Sequence, residues 1–192
     1  MTTASAFDLD KLLADCCAGL AETDPRRAIR EVVRRVMTRP NAVGDALQPE
    51  MGGFTLPHHS PDLTVLHVVW APGMRIYPHD HRMWATIGIY AGREDNAFYR
   101  RATDDRTTLV ESGGKRLEVG DVVTLGEDTI HSVANTSGVL TAAIHVYGGD
   151  FVNEPRSQWG PGPERERPYD VDQAQQEFAA ANRAWLGQTA AT

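Results

Sequence analysis

His79 and His81 are one residue apart, and Asp80 lies between them. On an extended strand, residues at i and i+2 point to the same face. Two imidazoles so placed can take two positions on one metal ion. His145 and Tyr147 repeat the spacing in the run Ala143-Ile-His145-Val-Tyr147-Gly, so they also share a face. Seven histidines in 192 residues make a single H-x-H pair weak by itself. The surrounding glycines give it weight.

Gly73, His79, His81 and Gly92 lie in one stretch, and Gly120, His131 and Asn135 in a second. Together the two stretches resemble the two motifs of the cupin superfamily, over about 75 residues from Gly73 to Tyr147. Ala85 or Thr86 stands where the first motif carries Glu. Gly126 and Asp128 stand where the second carries Pro and Gly, and both are competent turn residues. The resemblance implies a double-stranded β-helix with His79, His81 and His131 on a metal in the barrel mouth. The missing Glu leaves three neutral imidazoles. A divalent ion on such a set keeps its full charge and favours an anionic, soft ligand such as a thiolate.

The late-strand pair narrows the resemblance to thiol dioxygenases of the cysteine dioxygenase type. Trp84, three residues after His81, is similar to the bacterial branch. That resemblance implies Fe(II), with another divalent metal open, and a small thiol substrate oxidised by O2 to a sulfinic acid. His145 and Tyr147 would be the catalytic outer pair. Ala143 replaces the Ser of the family pattern, and no cysteine is available to crosslink Tyr147. The stretch Gly53-Phe-Thr-Leu-Pro57 lacks the Arg that holds the carboxylate in cysteine-oxidising members. Arg75, Arg82 and Arg156 are the candidate replacements, and Trp84 a candidate pocket wall. Two readings stand beside this one. One is another metal-dependent cupin enzyme, such as a carbon–carbon-cleaving dioxygenase or an isomerase. The other is a cupin that binds a ligand without catalysis.

Many short runs rich in Val, Ile, Thr and aromatics must position these residues. They include 63–70, 83–90, 96–101, 107–111, 116–119, 121–125, 132–135 and 140–147. Gly- and Pro-rich turns separate them, among them Ser112-Gly113-Gly114. This spacing predicts an antiparallel sandwich or barrel. The expected fold is mainly β: a jelly-roll barrel over 41–150, a helical extension over 1–40, and a loop with a C-terminal helix over 151–192, all one domain.

Asp24-Pro25 reads as an N-cap with Pro at the first helical position, and Ile29, Val32, Val33 and Val36 follow helical spacing. Pro40 ends that helix. Residues 151–168 read as irregular, 170–186 as helix, and 187–192 as a fraying end. The stripe Ala174, Phe178, Ala181, Trp185 reads as core packing. His67 reads as structural, His58 and His59 as an exposed loop pair, and Cys16 and Cys17 as small buried hydrophobes.

The chain is 41% hydrophobic and 23% charged, a balance that can bury a real core. Its net charge of −7 argues against a nucleic-acid partner. No apolar run approaches the ~20 residues of a membrane span. Residues 1–13 carry neither a basic n-region nor an apolar h-region, so a cytoplasmic location is expected. The oligomeric state is not legible.

Overall fold

The computed structural model describes residues 6–160 and 165–189. Three helices come first among the described residues: α1 (Leu9–Gly19), α2 (Pro25–Met37) and α3 (Pro40–Leu47). Asp24 caps α2 through its side chain, which accepts a hydrogen bond from Arg27 N at 3.0 Å. Pro40 lies beyond the end of α2 and is itself the first residue of α3. That helix falls in a stretch read as strand-rich. Its eight residues include Gly44, too few and too broken to show a helical period, but proline is well suited to a first helical position.

Eleven strands follow among the described residues: β1 (Gly53–His59), β2 (Thr64–Trp70), β3 (Arg75–Asp80), β4 (Ala85–Ala91), β5 (Arg93–Arg101), β6 (Leu109–Glu118), β7 (Val122–Leu125), β8 (Ile130–Ala134), β9 (Thr141–Tyr147), β10 (Ser157–Trp159) and β11 (Glu166–Pro168). α4 (Val171–Thr189) closes the described chain. The strands form two antiparallel sheets, in the orders β1-β2-β9-β4-β7 and β11-β10-β3-β8-β5-β6. Facing each other, they make the double-stranded β-helix that the motif spacing implies.

Several elements differ from the sequence pattern. Ser112-Gly113-Gly114 is not a turn but a bulge inside β6: Glu111 pairs with Tyr99, Gly113 with Phe98, and Ser112 has no opposite residue. His58 and His59 belong to β1, not to a loop. β1 is an edge strand interrupted at Pro57, where proline is tolerated because no ladder bond is lost on the outer side. Residues 151–168 contain β10 and β11, because Gln158 pairs with His79 and extends the sheet past β3; residues 161–164 lie outside the described chain. α4 runs to Thr189, so only residues 190–192 of the expected fraying end remain, and those lie outside the described residues.

The core has two parts. Outside the five-stranded sheet, Leu12, Ile29, Val33 and Met37 from the helices pack on Val65, Val69, Ile144 and Val146. Gly88 allows this approach: a Cβ there would meet Val33 Cγ1 at 2.7 Å. Between the sheets lie Leu66, Val68, Trp70, Ile76, Ile87, Leu125, Val133 and Tyr147, with Ala174 and Phe178 of α4 across one end. Cys16 is buried in the outer cluster and its thiol pKa is pushed up to about 12, chiefly by desolvation. Cys17 is exposed instead, near His58, since an adjacent helical residue points some 100° away. His67 is buried and hydrogen-bonded to the Tyr90 hydroxyl at 2.6 Å. No helix among the described residues is long and apolar enough to cross a membrane.

Candidate metal centre

His79 lies near the end of β3 and pairs with His131 on β8, so two imidazoles from neighbouring strands start side by side. His81 follows in the turn after β3. All three are buried, and their facing nitrogens lie within 4.8 Å of one another. His81 Nε2 is 3.2 Å from both His79 Nε2 and His131 Nε2.

The other ring nitrogens decide what these contacts mean. His79 Nδ1 donates to the carbonyl of Tyr77 at 3.0 Å, and His131 Nδ1 donates to Asn96 Oδ1 at 2.7 Å. Both Nε2 atoms are then lone-pair acceptors. Burial keeps the rings neutral: it pulls the His79 pKa down to about 4 and those of His81 and His131 well below the usual value. His81 has one proton and cannot satisfy two facing lone pairs through Nε2. Whichever His81 nitrogen carries the proton, at least one facing lone pair is left unmet, so the three residues could hold a metal ion.

The local fold holds this arrangement from behind. Asp80 accepts from Ser157 N at 2.7 Å and pairs with Arg82 Nε at 2.8 Å, tying the His-Asp-His segment to β10. Asn135 donates to the carbonyls of Trp70 and Val139 at 2.9 and 2.8 Å, bracing the turn after β8. Gly126 N donates to Thr129 Oγ1 at 3.0 Å, so Gly126 and Asp128 sit in a competent turn before β8.

A chain of polar groups behind His131 has no counterpart in the sequence reading. Asn96 holds His131 with its oxygen and donates from Nδ2 to Glu94 Oε1 at 2.9 Å. Trp70 Nε1 donates to Glu94 Oε2 at 3.1 Å. Glu94 is fully buried, and desolvation pushes its pKa up to about 7. Both residues lie on β5, two apart and facing inward. Glu-x-Asn spacing was a usable signal, but it reads equally as a solvated strand face.

The metal-site histidines open onto a cavity of about 240 Å³. His145 and Tyr147 line it, as the alternation on β9 predicts, with His145 Nδ1 3.0 Å from the Tyr147 hydroxyl. His145 is neutral, its pKa pulled down to about 3 by burial, and its Nε2 is buried with no hydrogen-bond partner. Burial raises the Tyr147 pKa, so the phenol keeps its proton.

Among the arginine candidates, the structure brings Arg156 into this cavity. It is buried, and its guanidinium lies 3.8 Å over the Phe151 ring and 4.3 Å over the Tyr169 ring. Its Nε and Nη1 are buried without partners. Arg75, Arg82 and Trp84 are not brought to the cavity. Arg75 is exposed, because its strand neighbour Ile76 takes the inward face. Arg82 has a left-handed backbone (φ 58°) that turns its side chain toward Asp80 and Glu166, in an adjoining surface hollow. Trp84 is half-buried and packs with the outer cluster, against Gly148, where a Cβ would meet its ring at 1.9 Å. The α4 stripe does more than pack: Ala174 and Phe178 form one wall of the cavity.

No protein-family model matches the chain. Among solved structures, it is similar to an RmlC-like cupin family protein with a double-stranded β-helix fold from Methanocaldococcus jannaschii. The identity is 10% and the TM-score 0.46, over 55% of this chain and 86% of that one. It is also similar to an uncharacterized conserved protein with a double-stranded β-helix domain from Klebsiella pneumoniae, at 17% identity and TM-score 0.42, over 60% and 92%. A third is the Lactobacillus farciminis oxalate decarboxylase in its formate complex, at 16% identity and TM-score 0.41, over 53% and 30%. Likenesses this distant carry nothing about activity or substrate.

Proposed function

We propose that the chain is a non-haem Fe(II)-dependent thiol dioxygenase. It would oxidise a small thiol, RSH, with O2 to the sulfinic acid, RSO2H. Both oxygen atoms pass to sulfur, so the reaction needs no external reductant. The observation that carries this reading is a cavity lined by three neutral imidazoles, with no carboxylate among the described lining residues, beside the His145–Tyr147 pair and two unpartnered nitrogens of Arg156.

His79, His81 and His131 would hold the iron. When bound, it supplies a full 2+ charge for a thiolate and a redox centre for O2. The chain's own groups do the rest. Tyr147, kept protonated, offers a hydroxyl to the reacting end of the substrate. His145 holds that hydroxyl at 3.0 Å and contributes an unsatisfied Nε2. Arg156, held against the Phe151 and Tyr169 rings, offers unpartnered donor nitrogens to an anionic group on the substrate, such as a carboxylate. The apolar walls exclude water and keep the reactants in one geometry.

The test is anaerobic Fe(II) loading of the purified chain, then O2 uptake against a panel of thiols, with mass detection of products. The expected product gains two oxygen atoms. If no thiol responds, the proposal fails.

A further inference from the structure

Beside the histidines, most of the cavity lining is apolar. Trp70 and Phe178 stack at 5.3 Å and 18°, and Phe54 meets Phe178 edge-on at 5.8 Å. The opening is apolar as well. Nine large hydrophobic residues are exposed among the described residues, and four of them, Phe54, Leu56, Val152 and Val171, line this one cavity. Scattered exposed hydrophobics need no explanation, but a cluster around one opening does.

The charges in the lining are one-sided. Arg156 is a buried cation with two unpartnered donor nitrogens, and no Asp or Glu is among the described residues lining the cavity. A ligand ammonium group would find no counter-charge here, and burying one unpaired is costly. A ligand carboxylate would find Arg156. A body of only two or three carbons would leave the Trp70–Phe178 wall uncovered.

We infer that the site takes a carboxylate with an aromatic or branched-alkyl body and no charged amine. The carboxylate sits on Arg156 and the body against Trp70 and Phe178. Combined with the proposed chemistry, the substrate class is a mercapto acid with an apolar body, not an aminothiol. The inference rests on the dioxygenase reading for the thiol alone.

Calorimetric titration of the full chain, as purified and after chelation, tests it with ligands that carry no thiol: propanoate, 3-phenylpropanoate and L-phenylalanine. 3-Phenylpropanoate is expected to bind about tenfold or more tightly than propanoate, because the ring leaves water for the apolar wall. It should exceed L-phenylalanine by a similar factor, because the ammonium is unpaired. Ala174→Phe, which fills the wall, should erase the advantage over propanoate. Equal binding of propanoate and 3-phenylpropanoate, or of L-phenylalanine and 3-phenylpropanoate, by the unsubstituted chain would overturn the inference. If 3-phenylpropanoate binds as expected and no thiol is oxidised, the inference stands and the dioxygenase reading falls. If only small aminothiols are oxidised and 3-phenylpropanoate does not bind, the outcome is reversed.

Discussion

On β9, Ile144 and Val146 point outward and are fully buried among residues such as Val33, Met37 and Leu63. Ala143, His145 and Tyr147 alternate with them and point between the sheets, the last two into the cavity. β2 divides the same way: Val65 and Val69 face the helices, while Leu66, Val68 and Trp70 face inward. The outer face is closed by α1 to α3. The inner face keeps about 240 Å³ of space and several buried polar atoms without partners: His81 Nδ1, His145 Nε2 and two nitrogens of Arg156. Each such atom costs ~1–3 kcal/mol. The apolar packing under the helices carries no such cost, whereas on the inner face a bound ligand or an ordered water would remove it. The outer face therefore supplies stability, and the inner face holds the candidate site.

If the two faces are separable in this way, substitutions on them should affect different measurements. The largest effect is expected from His131→Ala. Metal content by mass spectrometry should fall to background, while the melting temperature of the chelated chain changes little. Ile144→Ala should do the reverse. It removes a fully buried side chain, so urea unfolding should show a loss of about 2–5 kcal/mol, with metal content per folded chain unchanged. Loss of metal in Ile144→Ala at temperatures where it remains folded would break the separation.

Two subtler substitutions examine the groups behind His131. Asn96→Ala removes the acceptor that orients the ring, and a metal-competition titration should show affinity weakened about 10–100-fold. Glu94→Gln bears on pH. The Glu94 pKa rises from its usual 4.5 to about 7 in the folded chain. Between those values the folded state keeps a proton that the unfolded state has released. Its contribution is therefore fully present below pH 4.5 and is lost as pH rises through 7. Thermal melts of the chelated chain from pH 5 to 8 should show a smaller alkaline loss in Glu94→Gln than in the unsubstituted chain. An identical pH profile would mean that Glu94 is not held protonated.

The legible and illegible parts of the site differ in kind. His145 and Tyr147 were legible because strand alternation fixes which neighbours share a face; His81 was legible through its spacing from His79, although it lies just past the end of β3. Glu94 and Asn96 obey the same alternation, but alternation does not say which face is inward, and polar residues on a strand are usually solvated. Arg156 was one of three arginine candidates with nothing in its neighbourhood to distinguish it. Its position depends on Phe151 and Tyr169, which lie on either side of it in sequence and meet it only in space. The barrel strands showed through their β-branched runs. β10 and β11 did not, because three-residue strands rich in Ser, Gln, Glu and Arg carry no periodic signal and exist because β3 offers a free edge. α3 was obscured by its length.

The central claim is that His79, His81 and His131 form one metal site. Its most direct test is metal analysis of the chelated chain after anaerobic reloading with Fe(II) and desalting, for the unsubstituted chain and for His79→Ala. The account predicts about one iron per unsubstituted chain and none above background in the variant. An iron-free unsubstituted chain, or full iron content in His79→Ala, would contradict it.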